Sequence, residues 1–170
     1  MSLSPDSHIG LILNPTAGGG KLRTRQEKLI QLLRNNFTIV NIIKSQAPGG
    51  EYQCAHTLLE SSCEVIIVCG GDGSLHHTIN GLLSHRDTSL NLPKITVFPV
   101  GSGNDYARHH GISNKPQEFL KTLMDKNTKK VDVGKASFAS SPNPHFFINC
   151  MGTGLDSKVV KQVGKKKSRR

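Results

Sequence analysis

The chain has 170 residues, 35% hydrophobic and 20% charged, with 17 glycines; a chain of this length can bury roughly 70% of its unfolded surface, which excludes disorder as the default. Its formal charge is +10, from 22 Lys and Arg against 12 Asp and Glu. Six of those basic residues (Lys161, Lys165, Lys166, Lys167, Arg169 and Arg170) fall in the last ten positions with no acid, so the body is only mildly basic, nucleic acid is not the expected partner, and the cluster reads as a solvated tail or a membrane-facing patch.

Residues 1–8 are polar and include Pro5 and Asp6, without the charged start and apolar run of a signal sequence. No apolar run approaches the roughly 18 residues of a membrane span. A cytoplasmic protein, peripheral at most to a membrane, is expected. Ile9-Gly10-Leu11-Ile12-Leu13, closed by Asn14-Pro15, is the continuous apolar run of a strand buried on both faces. Leu22, Gln26, Leu29, Ile30 and Leu33 then share one helical stripe. The unit repeats as a strand over 38–43, a Pro48-Gly49-Gly50 turn and a helix over 51–59. Val65-Ile66-Ile67-Val68-Cys69 is the strongest buried strand, broken by Gly70-Gly71 and followed by a helix over 74–83. Ile95-Thr96-Val97-Phe98 makes a fourth strand. This alternation predicts right-handed βαβ units, an α/β fold whose parallel sheet carries helices on both faces. Past Gly111, a helix over 116–126 groups Phe119, Leu120, Leu123 and Met124 on one face. Residues 130–134 and 145–150 then read as strands with no helix between them, the entry to an all-β portion. Cys54, Cys63, Cys69 and Cys150 form no C-x-x-C pair, and no His or Cys spacing completes a zinc site, so free thiols are expected.

Three glycine-rich segments each follow an expected buried strand: Asn14-Pro15-Thr16-Ala17-Gly18-Gly19-Gly20-Lys21, Gly70-Gly71-Asp72-Gly73-Ser74 and Gly101-Ser102-Gly103-Asn104-Asp105. In an open α/β sheet such loops gather at the carboxyl ends of the strands, where ligands bind. Glycine has no Cβ, so main-chain N–H groups can turn toward a phosphate, and the following helix adds its positive end. Thr16, Ser74 and Ser102 add hydroxyl donors. One such loop is more often a plain tight turn; three in succession point to a phosphate-bearing ligand. The spacing departs from Gly-x-x-x-x-Gly-Lys-Ser/Thr at Pro15 and Leu22, and no Gly-x-Gly-x-x-Gly run exists, which disfavours a P-loop and a Rossmann dinucleotide site. Asp72 has two readings. Among phosphate-binding amides a carboxylate needs Mg²⁺ or a reacting hydroxyl between it and the anion; alternatively it caps its own helix by accepting from amides just beyond Gly73. Asp105, after Asn104, is open to the same first-turn reading.

These segments, together with Ile79-Asn80-Gly81-Leu82 and the run from Pro99-Val100 through Tyr106-Ala107-Arg108, resemble the diacylglycerol kinase catalytic domain family, which includes bacterial lipid kinases and the sphingosine and ceramide kinases. The resemblance runs over about residues 9–160. Its specificity lies in pairing the Gly-Gly-Asp-Gly loop with the Gly-Ser-Gly-Asn-Asp loop, because the first alone also occurs in NAD kinases and phosphofructokinases. Residues 149–156 look like the stretch that opens the family's second domain. The resemblance implies an α/β nucleotide-binding domain over 1–130 and, over 131–170, the beginning of a β-sandwich with the basic tail. ATP with Mg²⁺ would lie in the cleft, and a lipid hydroxyl at a membrane surface would be the acceptor. Residue by residue, Asn14, Pro15, Thr16, Ala17 and Gly18 would meet the nucleotide, and Ser45 stands where the family usually has a nucleotide-contacting Thr. Gly71, Asp72, Gly73 and Ser74 would bind phosphates, while Ser102, with Gly103, Asn104 and Asp105 beside it, would reach the nucleotide. Asp72 matches the loop aspartate implicated in phosphoryl transfer.

Two departures accompany the resemblance. His76-His77 stands where the family often has Asn-Glu or His-Glu, and adjacent histidines on a helix point in different directions, so solvent or packing roles are expected of both. The family's carboxylate base and structural metal site belong to a second domain that does not follow Arg170, so the sequence is expected to be a fragment. The implied reaction is transfer of the γ-phosphoryl of Mg-ATP to a lipid hydroxyl. An NAD kinase and a nucleotide-binding module without turnover are the alternatives, and the oligomeric state, a homodimer included, is left open.

Overall fold

A central sheet of four parallel strands organises the chain, in a computed structural model that describes residues 3–20, 23–84, 91–125, 128–152, 154 and 158. Leu22, Lys126 and the basic tail lie outside the described residues. The strands are β1 (His8–Leu13), β2 (Ile39–Lys44), β3 (Val65–Gly70) and β4 (Lys94–Pro99), in the order β2-β1-β3-β4. Between them run α1 (Arg23–Asn36), α2 (Glu51–Glu60) and α3 (Asp72–Ser84), followed by α4 (Asp105–His109) and α5 (Pro116–Met124).

The continuous apolar runs of β1 and β3 put them at the centre. Ile9, Leu11 and Leu13 of β1 with Val65, Ile67 and Cys69 of β3 join Leu29, Leu33, Phe37 and Phe119 on one face. Ile12 with Ile66 and Val68 joins Ala55, Leu58, Leu75, Ile79 and Leu82 on the other. Period-two alternation therefore divides each strand between two cores, and both must be covered for the strand to be stable. Each fully buried Leu or Ile contributes about 1.5–3 kcal/mol. The edges read differently: β2 alternates exposed and half-buried residues, and β4 is buried only over its carboxyl half.

Several element limits depart from the sequence expectation. The helix after β3 begins at Asp72 rather than Ser74, so Asp72, Gly73 and Ser74 form its first turn instead of a loop. In α5, Phe119 is buried and Leu120 and Leu123 are half-buried, but Met124 is 41% exposed, because the helix ends there with Asp125 extended. Residues 130–133 make no strand; only β5 (Gly134–Ala136) and β6 (His145–Phe147) pair, antiparallel, with Lys135 opposite Phe146. The outer edge of β6 is met by a side chain. Asn80 of α3 accepts from the Phe146 N–H (2.9 Å) and donates to its carbonyl (2.8 Å), standing in for a neighbouring strand.

Candidate functional site

In this strand order the chain leaves β1 toward β2 and leaves β3 toward β4, in opposite directions, and the gap above β1 and β3 is the switch point at which ligands bind in open α/β sheets. A cleft of about 440 Å³ lies there, within the usual size of small-molecule pockets. Of the residues expected to meet a nucleotide, Asn14, Pro15, Thr16, Ala17, Gly18, Ser45, Gly71, Gly73, Ser74 and Ser102 all line it. Asp72, Gly103, Asn104 and Asp105 do not.

The segment after β1 is shaped by Asn14. Its Oδ1 accepts from the Thr16 amide (3.0 Å) and the Thr16 hydroxyl (2.9 Å), closing a tight turn that commits the Thr16 proton within the loop. Gly18 follows at φ +62°, a left-handed conformation in which a side chain would be strained. The Asn14 carbonyl accepts from Gln26 of α1 (3.1 Å), which anchors the loop from the opposite side.

The loops after β3 and β4 meet backbone to backbone. A Cβ on Gly101 would lie 2.5 Å from the Gly71 Cα, so side-chain-free backbone at both positions is a condition of their contact. Asn104 then folds its loop shut: its Oδ1 accepts from the Gly101 amide (2.9 Å) and its Nδ2 donates to the Gly101 carbonyl (2.7 Å). Its own backbone is left-handed at φ +57°. At Gly73 nothing lies within 4 Å of where a Cβ would stand, and the first-turn amides of α3, unpaired within the helix, open beside the cleft.

The Asp72 carboxylate does not cap its own helix. It accepts from the amides of Asp105 (3.0 Å) and Tyr106 (3.0 Å), the first turn of α4, and from the Asn149 side chain (3.1 Å). One carboxylate thus ties together the loops after β3 and β4 and the segment that follows β6. Burial alone would raise its pKa, but the Tyr106 and Asp105 amides, with Asn149 and the Asn104 amide, outweigh this and hold it below its ordinary value. The Asp105 side chain pairs with Arg108 one turn on and caps no amide of its own.

Two lining residues with ionisable side chains escaped the sequence. His77, for which a solvent or packing role is expected, lines the cleft beside the turn at Gly49. Its neighbour His76 is depressed in pKa by burial and by the nearby His77 and His145. Glu51 is 2% exposed at the start of α2, and its Oε1 accepts from Asn14 Nδ2 (2.8 Å) and from the Ser74 hydroxyl (2.8 Å). An acid in a helix's first turn is ordinary dipole chemistry, so nothing in the sequence marked Glu51 as part of this site. The Ser74 proton, expected to face a phosphate, goes to Glu51 instead.

Among the described residues no group of three or more His, Cys, Asp or Glu could hold a metal ion, and no helix is long and apolar enough to cross a membrane. Comparison with known proteins matches residues 8–136 to the model of the diacylglycerol kinase catalytic domain. The chain is 30% identical over 150 residues to a protein named diacylglycerol kinase from Staphylococcus haemolyticus, covering 88% of this chain and 42% of that one. A Staphylococcus carnosus protein of the same name is 28% identical over 157 residues, covering 92% and 48%. Among solved structures, a diacylglycerol kinase from Bacillus anthracis aligns at a TM-score of 0.64 with 30% identity, over 75% of this chain and 42% of that chain. The chain thus spans less than half the length of these relatives.

Proposed function

The chain belongs to the diacylglycerol kinase catalytic domain family, and from that membership and the cleft we propose that it supplies the nucleotide-binding half of an ATP-dependent lipid kinase. The observation that carries the proposal is the convergence of three strand-following loops on one cleft, with Gly71 and Gly101 in contact and the first turn of α3 opening into it. A triphosphate in this position would meet main-chain amides from Gly73 and Ser74, with Asn14, Pro15, Thr16, Ala17, Gly18, Ser45, Gly71 and Ser102 around it.

The residues present fit such a ligand. Helix-start amides favour anions, and the volume is adequate. For Mg²⁺ the chain offers single carboxylates, which fits a cation that keeps several waters and draws further ligands from the phosphates. ATP would supply the γ-phosphoryl group, and a lipid hydroxyl at a membrane surface would be the acceptor. The chain's own contribution is positioning: the loops are locked to each other before any ligand arrives, so little ordering remains at binding. Asp72, with Gly103, Asn104 and Asp105 behind it, holds the boundary between the nucleotide loops and the residue 145–151 segment. Its assigned place is at the reacting end.

Two measurements test this. Titration with Mg-ATP should raise the melting point of the chain, and an unmoved melting point defeats the nucleotide assignment. Radiolabelled γ-phosphate should pass from ATP to diacylglycerol in vesicles, and Asp72→Asn should lower the rate by about 10²–10⁴-fold. Nucleotide binding without transfer to any of a panel of lipids, unaffected by Asp72→Asn, would instead support a binding module without turnover.

A further inference from the structure

Glu51 is an anomaly for a cleft assigned to a polyanion. It is 2% exposed, it lines the cleft, and no Lys or Arg lies among the described lining residues to neutralise it. One oxygen, Oε1, carries both of its hydrogen bonds, from Asn14 and Ser74. Oε2 is buried and has no hydrogen-bond partner among the described residues. Leaving a buried carboxylate oxygen without a donor costs stability. Packing therefore does not account for an acid here.

Its hydrogen bonds do. Asn14 Nδ2 also donates to Ser74 Oγ (3.0 Å), so the three side chains close a triangle between the end of β1, the start of α2 and the start of α3. A carboxylate only accepts, and it therefore dictates the rest of the triangle. The Asn14 amide must turn its NH₂ toward Glu51, which leaves Oδ1 toward Thr16, where it builds the turn leading to Gly18. The Ser74 proton must point at Glu51, which leaves the main-chain N–H groups of the α3 first turn as the donors offered to the cleft. With an apolar residue at 51 the amide could rotate, and the Ser74 hydroxyl could swing toward the ligand.

We propose that Glu51 is a positioning residue for the nucleotide, setting through Asn14 and Ser74 which polar faces of the β1 and β3 loops the cleft presents. It touches no phosphate itself. The proposal rests on the nucleotide reading above, and its test separates the two.

Mg-ATP dissociation constants and melting points are measured by calorimetry on the whole chain and on Glu51→Leu, Glu51→Gln, Asn14→Ala and Asn14→Ala/Glu51→Leu. Glu51→Leu should weaken binding about tenfold, equivalent to ~1.4 kcal/mol. Glu51→Gln keeps an acceptor for both partners and should bind within about twofold of the unaltered chain. Because Glu51 acts in part through Asn14, the double variant should lose less than the sum of the two single losses; coupling of this kind is what a double-mutant cycle isolates. Equal binding by Glu51→Leu and the unaltered chain, or additive losses in the double variant, would each overturn the proposal. Failure of the unaltered chain to bind Mg-ATP would overturn the nucleotide reading and this proposal with it.

Discussion

The parallel sheet and the stretch around the β5–β6 hairpin both carry Val, Ile and Phe, yet the structure treats most of them in opposite ways. In β1 and β3 nearly every side chain is buried, shared between two cores that helices on each face complete. Around the hairpin, Val131 and Val133 are each 42% exposed, Phe138 50% and Met151 51%. The sheet is held by apolar burial. The hairpin is tied to α3 by polar contacts, the Asn80 amide on the Phe146 backbone and the Asn149 side chain on Asp72, and by the half-buried Phe146 and Ile148 against the core on that side. Similar residues thus yield a core where another layer covers them and an open face where none does among the described residues.

Four substitutions sharpen that contrast. The largest loss is expected from Ile67→Ala, which opens a cavity in the fully buried β3: about 2–5 kcal/mol by urea denaturation. Val133→Ala at the exposed stretch should stay within about 0.5 kcal/mol. A comparable cost at both positions would mean that the hairpin segment has a buried partner after all.

Asp72→Ala should cost about 1–2 kcal/mol at neutral pH, since it removes the cap of α4 and the link to Asn149 together. The folded pKa of Asp72 lies below its ordinary value of 3.8. Its contribution is therefore fully present above 3.8 and is lost as the pH falls through the folded value. The gap between Asp72→Ala and the unaltered chain should hold steady from pH 7 to about pH 5 and narrow below 3.8. A gap that widens on acidification contradicts the geometry described for this carboxylate.

Asn80→Ala should cost about 1 kcal/mol, and its signature is local. Hydrogen exchange at the Phe146 amide should accelerate while the β3 amides keep their protection, because the hairpin opens without the sheet. Unchanged exchange at Phe146 would remove Asn80 from its role as the hairpin's partner.

Much of the sheet was legible from periodicity. Continuous apolar runs marked β1 and β3 as doubly covered strands, and Leu29 and Leu33 marked the buried stripe of α1. The hairpin was less legible, because strand formation over 130–134 needs a partner along its whole length and only Gly134–Ala136 finds one. The glycine clusters marked where the cleft would be. They did not distinguish Gly73, which has open space beside it, from Gly101, which is small because Gly71 presses on it.

Local sequence settled what local physics controls: hydrophobic period, turn residues and the order of strand, loop and helix, which together select an α/β sheet and gather its loops at one end. Which side chains meet across those loops was decided by tertiary structure alone. Asp72 serves α4 rather than its own helix, and Glu51 joins Asn14 and Ser74 across 37 and 23 residues of chain. Hydrogen bonds reach only about 3 Å, so partners this far apart in sequence are chosen by how strands and helices stack, and no pattern along the chain encodes that choice.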